Sequence, residues 1–488
     1  MSDILEVTIS HLATQGDGAA RLPDGRPVFI AGTLPGEQVS IQLQGNGRGQ
    51  LVDILAPSAQ RTTPPCPLFE QCGGCSLQYM ELPALLAWKT GLVSHALEKA
   101  GFNVPSDITS FQVPPNSRRR ADLAVRRTEQ GIIIGLHAKG SQDVTDMTSC
   151  AVLHPAIVSC LPALRTTLRS LNAVHKTADL HINLLDSGLD ILLSTDSPLI
   201  ATDRQRLTAL AEELDIPRIS WQRLKAAGPY ETAVQRAPVY QTIAGHQLTP
   251  PPGAFLQATA QSEHAIQQAV LDALPARLGK RATLIELYAG CGTLSLPLGD
   301  RCQVQAYEGY EPALAALKSV GKSRITPTCR DLNRQPIMGK DLGKADVVVL
   351  DPPHAGAKLQ MRQIALGKPD YVIYVSCNPA ALSMMPACWL LPVTGWRRFR
   401  SLTSSSGRPK PRPCAALNVK ALAAAATPFL IRVDEHKPFF QIGLAVIHLR
   451  PDQEECGFAV HQEGQAMIFY NLIPLPALRY KFHIIGFA

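Results

Sequence analysis

The chain is poor in charge and in aromatic side chains: Asp, Glu, Lys and Arg make up 18% of its 488 residues, and Phe, Trp and Tyr 6%. A disordered polypeptide needs much charge and little apolar content. Here 45% of residues are hydrophobic, which excludes that class and predicts a folded, globular protein. No apolar run reaches the roughly 20 residues of a membrane helix. The opening Met1-Ser-Asp-Ile-Leu-Glu6 lacks the basic and apolar stretches of a secretory signal. The expected location is the cytoplasm, with no membrane partner. Internal repeats are absent. An excess of one charge sign is also slight, because 47 Lys and Arg against 40 Asp and Glu leave +7. That basicity is compatible with a nucleic-acid partner without singling one out. The length predicts two or three domains. In a reducing compartment the twelve cysteines read as ligands, nucleophiles or buried thiols rather than disulfides.

Three apolar runs end alike. Tyr371-Val-Ile-Tyr-Val-Ser-Cys-Asn-Pro-Ala380 reads as a buried strand that delivers the thiol of Cys377 to its C-terminal end. Ala345-Asp-Val-Val-Val-Leu-Asp-Pro-Pro353 does the same with Asp351, and Pro352 stops the pairing. Thr283-Leu-Ile-Glu-Leu-Tyr-Ala-Gly-Cys-Gly-Thr293 ends in a glycine turn containing Gly290. Ligands of open α/β sheets bind just outside the carboxyl ends of the strands. The full G-x-G-x-x-G is missing, so the glycine turn alone is weak evidence of nucleotide binding. Glu308, one βα unit further on, supplies a carboxylate suited to a ribose diol. Taken singly, Cys377 could be a core thiol, Asp351 a helix cap and Glu308 a solvated turn residue. Together they describe an enzyme.

The cysteines cluster. Cys66, Cys72 and Cys75 have C-x5-C-x2-C spacing beside Gly73-Gly74, and Cys150 lies in Thr148-Ser-Cys-Ala-Val-Leu-His154. The radical C-x3-C-x2-C pattern is not matched. Four thiolates around an iron–sulfur cluster fit this set. Tetrahedral zinc is the second reading, and unligated buried thiols the third. Along the chain, residues 1–56 read as a small β-barrel, with strands near 6–10, 27–30, 38–42 and 50–55. Arg61-Thr-Thr-Pro-Pro65 reads as a linker. Residues 57–250 form a central α+β domain, and from 251 a longer α/β unit begins with Phe255-Leu-Gln-Ala258 and a helix.

With these residues in place the chain resembles the S-adenosylmethionine-dependent RNA uracil-5 methyltransferase family, from about residue 5 to about 383. The resemblance implies an N-terminal TRAM (OB-like) barrel, a central iron–sulfur domain and a class I, Rossmann-like methyltransferase domain over 251–383. It implies that Cys66, Cys72, Cys75 and Cys150 hold a [4Fe-4S] cluster. It places Gln257, Tyr288, Gly290, Glu308 and Asp351 at the cofactor or the target base, and makes Cys377 the nucleophile. The implied partner is ribosomal or transfer RNA, and the expected state is a monomer. Competing readings are an amino-group methyltransferase built on Asp351-Pro-Pro353 and an RNA-binding pseudoenzyme. The first leaves Cys377 and the cysteine cluster without a purpose.

The resemblance stops after Ser383. The family's general base is a Glu in a Phe-Leu-Trp-Ser-Ala-Gln-x-Glu context, and no such segment follows. In its place come Met384-Met-Pro-Ala-Cys-Trp389 and Ser404-Ser-Ser-Gly-Arg-Pro-Lys-Pro-Arg-Pro413, which suit neither helix nor central strand. A reading shifted back by one base, with permitted codons, turns residues 385–396 into Asp-Ala-Arg-Leu-Leu-Ala-Ala-Ala-Gly-Tyr-Arg-Val. It turns residues 403–412 into Asp-Gln-Phe-Leu-Trp-Ser-Ala-Gln-Ala-Glu. Residues 384–488 therefore read as an out-of-frame tail that replaces the end of the catalytic domain.

Overall fold

The computed structural model describes residues 4–102, 104, 108–225 and 230–380, with three short strands at 429–431, 445–448 and 481–486. The first sheet contains β1 (Ile4–Thr8), β2 (His11–Leu12), β3 (Gly18–Arg21), β4 (Pro27–Ile30), β5 (Gln38–Gly45) and β6 (Arg48–Ala56). Its order is β1-β5-β6-β4-β3-β2. Alternation buries Val28 and Ile30 and turns Pro27 and Phe29 outward. With Val7, Ile9, Val39 and Ile41 they make a small core. β2 and β3 were not foreseen, because a two-residue strand and Gly18-Ala-Ala-Arg21 are too short to show a period. Arg61 is more than a linker residue. It donates to Glu37 at 2.5 and 2.8 Å and to the Gly32 carbonyl at 2.7 Å, and it stacks on Tyr79.

Next come α1 (Leu82–Lys99), β7 (Ile108–Gln112), β8 (Arg120–Thr128), β9 (Gly131–Gly135), α2 (Pro155–Ser170), β10 (Thr177–Leu185), β11 (Gly188–Thr195), α3 (Ala201–Glu213), β12 (Arg218–Arg223) and β13 (Glu231–Gln235). Six of these strands form a sheet in the order β13-β12-β11-β10-β8-β9. It is antiparallel except between β11 and β12. Ile157, Leu161, Leu164 and Leu168 fall on one helical stripe of α2. They share a core with Leu207 and Leu210 of α3. α1 behaves differently from its neighbours in sequence: Val93, Ala96 and Leu97 pack under the parallel sheet described next.

That sheet follows the hairpin β14 (Gln241–Ile243) and β15 (His246–Leu248) and the helix α4 (Ala260–Ala273). It alternates with helices: β16 (Thr283–Leu287), α5 (Ser295–Leu298), β17 (Gln303–Glu308), α6 (Glu311–Ser319), β18 (Ile325–Cys329), α7 (Gly339–Leu342), β19 (Val347–Leu350), α8 (Lys358–Gly367) and β20 (Val372–Tyr374). All five strands are parallel, in the order β18-β17-β16-β19-β20. The chain winds outward from β16 through β17 to β18, then returns to the other side of β16. This reversal makes the topological switch point at which doubly wound folds bind ligands. β19 is buried along its whole length, as a strand covered on both faces must be. β18 was missed because Pro327 interrupts it, and a proline is tolerated there because β18 is an edge.

Within the tail, β21 (Phe429–Ile431), β22 (Ala445–His448) and β23 (Lys481–Gly486) pair with one another and with β7, in the order β21-β22-β23-β7. β22 falls partly in the apolar stretch 439–447 where a local strand is expected. The restored helix and Glu segments, at 385–396 and 403–412, lie outside the described residues. β21 lies against β20, although no sheet hydrogen bonds join the two among the described residues.

Candidate functional site

Sheet order decides what the strand ends can do together. Glu308 closes β17, Tyr288 follows β16, Asp351 follows β19, and Cys377 lies three residues past β20. These strands are consecutive neighbours and point the same way, so all four residues lie along one edge. Backbone bonds hold the ends in step. The Asp351 N–H donates to the Leu287 carbonyl at 3.3 Å, and the Val375 N–H to the Leu350 carbonyl at 2.8 Å. Past β20, the Asn378 amide donates to the His354 carbonyl at 3.1 Å, tying the two exit loops together. Asn378 Oδ1 also accepts from the Ala380 N–H. Cys377 is 3% exposed and shares a cluster with Tyr374, Leu350 and Leu287, against which Tyr288 packs.

The glycine turn is built for close approach. Gly290 has φ +56°, and a Cβ there would meet open space. Gly292 has φ +95°, and a Cβ there would lie 2.5 Å from Leu317 Cδ1. Gly290 is thus favoured by its left-handed backbone and Gly292 by packing as well. Tyr288 adopts φ +65°, a costly conformation for a side chain of its size. Burial pushes its hydroxyl up to about 12. Glu308 accepts from the Gly290 N–H at 2.8 Å and from the Tyr310 N–H at 2.7 Å. It braces the turn.

Under the turn lies a residue that sequence reading missed. Glu286 is fully buried on β16 and accepts from Ser295 Oγ at 2.5 Å. Burial first, then the charges of Asp351 and Glu308, push its carboxyl up to about 8. The folded protein therefore holds a proton that the unfolded chain releases above about 4.5. Between about pH 4.5 and 8 stability should fall as pH rises, by at most about 1.4 kcal/mol per pH unit from this group. Glu286→Gln should flatten that slope in urea titrations at pH 5.5 and 7.5. An unchanged slope would show that the carboxyl is ionised in the fold.

Gln257 is 4% exposed and sits between β15 and α4. Thr259 caps α4, and its hydroxyl accepts from the Ser262 N–H at 3.0 Å. The backbone around Gln257 is hydrogen-bonded mainly from the central sheet, through Arg119, Arg120 and Asn183.

Cys66, Cys72, Cys75 and Cys150 line one cavity of about 750 Å³. Among the described residues no three His, Cys, Asp or Glu side chains are gathered tightly enough to hold one metal ion. The four thiols share one chamber. A Cβ at Gly74 would come within 2.6 Å of Leu136 Cδ1, so packing against Leu136 calls for glycine there. Backbone N–H groups aim at sulfur: Gly74 at Cys72 (3.3 Å), and Val152 and Leu153 at Cys150 (3.4 Å each). Trp88 Nε1 and Ser149 Oγ also line the cavity, buried and with no hydrogen-bond partner. Burial, opposed by such N–H groups and reinforced by neighbouring thiolates, pushes up the thiols of Cys72 and Cys150. Cys75 is pushed up to about 11.

Residues 3–45 match the TRAM domain family. A Caulobacter vibrioides protein described as an uncharacterized RNA methyltransferase is 36% identical over 387 residues, covering 77% of this chain and 90% of that protein. The chain belongs to the RNA methyltransferase family. The 23S rRNA (uracil(1939)-C(5))-methyltransferase RlmD of Shewanella amazonensis is 30% identical over 398 residues, covering 78% of this chain and 88% of RlmD. Among solved structures, the Pyrococcus abyssi tRNA (uracil-54, C5)-methyltransferase in complex with S-adenosyl-L-homocysteine shares the fold. Its TM-score is 0.61 at 15% identity, over 89% of this chain and 97% of that one. Thus the family is that of RNA-methylating enzymes, and the parallel sheet is a methyltransferase sheet. No helix among the described residues is long and apolar enough to cross a membrane.

Proposed function

We propose that this member of the RNA methyltransferase family acts on C5 of a uridine in ribosomal or transfer RNA, with S-adenosylmethionine as methyl donor. The observation that carries the reading is the alignment of Cys377, Asp351, Tyr288 and Glu308 along one edge of a parallel sheet, at its switch point. S-adenosylmethionine supplies an electrophilic methyl group. The open space beside Gly290 and the carboxylate of Glu308 suit its nucleoside half, and Tyr288 and the buried Gln257 complete the walls. C5 of uracil is a weak nucleophile. Addition of the Cys377 thiolate to C6 turns C5 into an enolate carbon able to take the methyl group. Asp351 holds the base edge, and the base must first swing out of the RNA. Loss of the C5 proton then expels the thiol. The test is 5-fluorouridine RNA, in which fluorine replaces that proton and traps the adduct. A stable protein–RNA band under denaturing conditions is expected. Amino-group methylation or RNA binding alone gives none.

The thiol cavity is proposed to hold a [4Fe-4S] cluster that docks RNA or braces the central domain, since its ligands are remote in sequence from Cys377. The unpartnered donors and the N–H groups aimed at sulfur support an anionic, sulfur-rich occupant. Protein purified without oxygen should be brown and contain iron and acid-labile sulfide, and Cys72→Ser should lose both. Stoichiometric zinc without iron would sink this assignment.

The out-of-frame reading of residues 384–488 is kept as part of the proposal. It is supported by the missing Glu segment and by relatives that match about three-quarters of the chain. These observations also favour a second reading of this particular polypeptide, as an RNA-binding form that completes no turnover.

A further inference from the structure

Residues 254–258 belong to neither strand nor helix, yet Ala254, Leu256, Gln257 and Ala258 are all buried. Their carbonyl oxygens need partners that no local secondary structure provides. The central sheet supplies them. Asn183 of β10 donates to the Ala254 carbonyl at 2.9 Å, and Arg120 Nη1 to that of Leu256 at 3.2 Å. Arg119 serves two more, its Nε donating to the Gln257 carbonyl at 3.0 Å and its backbone N–H to that of Ala258 at 2.8 Å. The same guanidinium reaches on through Nη2 to Glu263 Oε2 at 2.7 Å, in the first turn of α4. Arg119 and Glu263 are each 6% exposed. Arg119 is itself anchored, since its carbonyl accepts from the Leu184 N–H at 2.7 Å.

From this geometry we propose that Arg119 is a positioning residue for the methyl-transfer pocket, setting where Gln257 points by clamping its carbonyl and α4 together. The inference rests on the reading of Gln257 as a wall of that pocket. A planar guanidinium can donate along two directions at once, to the Gln257 carbonyl and to the Glu263 carboxylate. An ammonium is a point charge and cannot span both. The Glu263 pair keeps a buried charge neutralised, while the Gln257 bond carries the position.

Arg119→Lys separates the two jobs. It keeps a cation opposite Glu263, so the full chain should still fold. Hydrogen–deuterium exchange over residues 254–258 should speed up by about tenfold or more, with α2 and β11 unchanged. The dissociation constant for S-adenosylmethionine should rise several-fold. Gln257→Ala should raise it comparably, and the double variant should add little further. Arg119→Met should exceed Arg119→Lys on both readouts. Wild-type exchange over 254–258 in Arg119→Lys would overturn the proposal, as would an equal rise throughout the central sheet. Faster exchange with cofactor affinity unmoved in both Arg119→Lys and Gln257→Ala would uphold the positioning and refute the cofactor role of Gln257.

Discussion

Cys377→Ala is expected to abolish the covalent complex with 5-fluorouridine RNA while leaving the S-adenosylmethionine dissociation constant within about twofold of wild type. The asymmetry follows from what the thiol does. It attacks the base and makes no bond to the sulfonium, so its loss removes a reaction step rather than a binding contact. Three residues past β20, Cys377 is next to the exit loop of β19 and 3% exposed. Alanine there removes one atom from a packed cluster and should cost little stability. Three buried thiols are poorly suited to substitute for it. Cys291 lies in the glycine turn, but burial pushes it up to about 12, which keeps it protonated. Cys160 and Cys302 are buried in hydrophobic cores. A denaturing gel with labelled RNA makes the measurement. An undiminished adduct in Cys377→Ala would mean that the nucleophile has been misassigned. Asp351→Ala should slow adduct formation without preventing it, because a carboxylate that orients the base is not the atom that bonds to it.

Much of the catalytic edge could be read from sequence because each piece announces itself locally. A β-branched run that stops at Cys-Asn-Pro or Asp-Pro-Pro marks a buried strand and its end within ten residues, and a parallel sheet collects such ends on one side. The cysteine set was legible for a related reason, since three thiols within ten residues beside Gly73-Gly74 have few packing explanations. What stayed hidden depends on contacts across the chain. Glu286 looks like an ordinary strand residue until the fold closes over it and its proton becomes hard to lose. Arg119 meets the Gln257 carbonyl 138 residues away, and nothing in the run Arg118-Arg-Arg120 distinguishes an inward guanidinium from a solvated one. α1 has a weakly graded apolar face, so its sequence does not say which of two cores it will join. β18 was lost to Pro327, a residue that argues against a strand everywhere except at the sheet margin where it lies.

The second large effect concerns the tail. The polypeptide of 488 residues should methylate RNA poorly or not at all, and restoring the reading frame near codon 383 should recover turnover. A missing general base costs about 10²–10⁴ in rate. Here the Glu expected in a Phe-Leu-Trp-Ser-Ala-Gln context is replaced by Ser404-Ser-Ser-Gly-Arg-Pro-Lys-Pro-Arg-Pro413. A second cost is structural. β20 meets only the short tail strand β21, without sheet hydrogen bonds between them among the described residues, and a poorly paired edge on a hydrophobic sheet invites pairing between copies. The restored chain should therefore be more soluble as well as more active. The two defects also predict a distinctive stall. Addition of Cys377 and methyl transfer need no base, so protein that does bind RNA and donor should accumulate with Cys377 still bonded to the methylated uridine, even on unmodified RNA. The frame-restored chain should release that product. Mass spectrometry of the protein–RNA complex and the nucleotide sequence of codons 376–415 decide the matter together. Full turnover by the 488-residue form, or a minus-one frame that does not encode the Glu segment, would make the tail a true divergence. The C5 proton would then have to be removed by a base outside that segment.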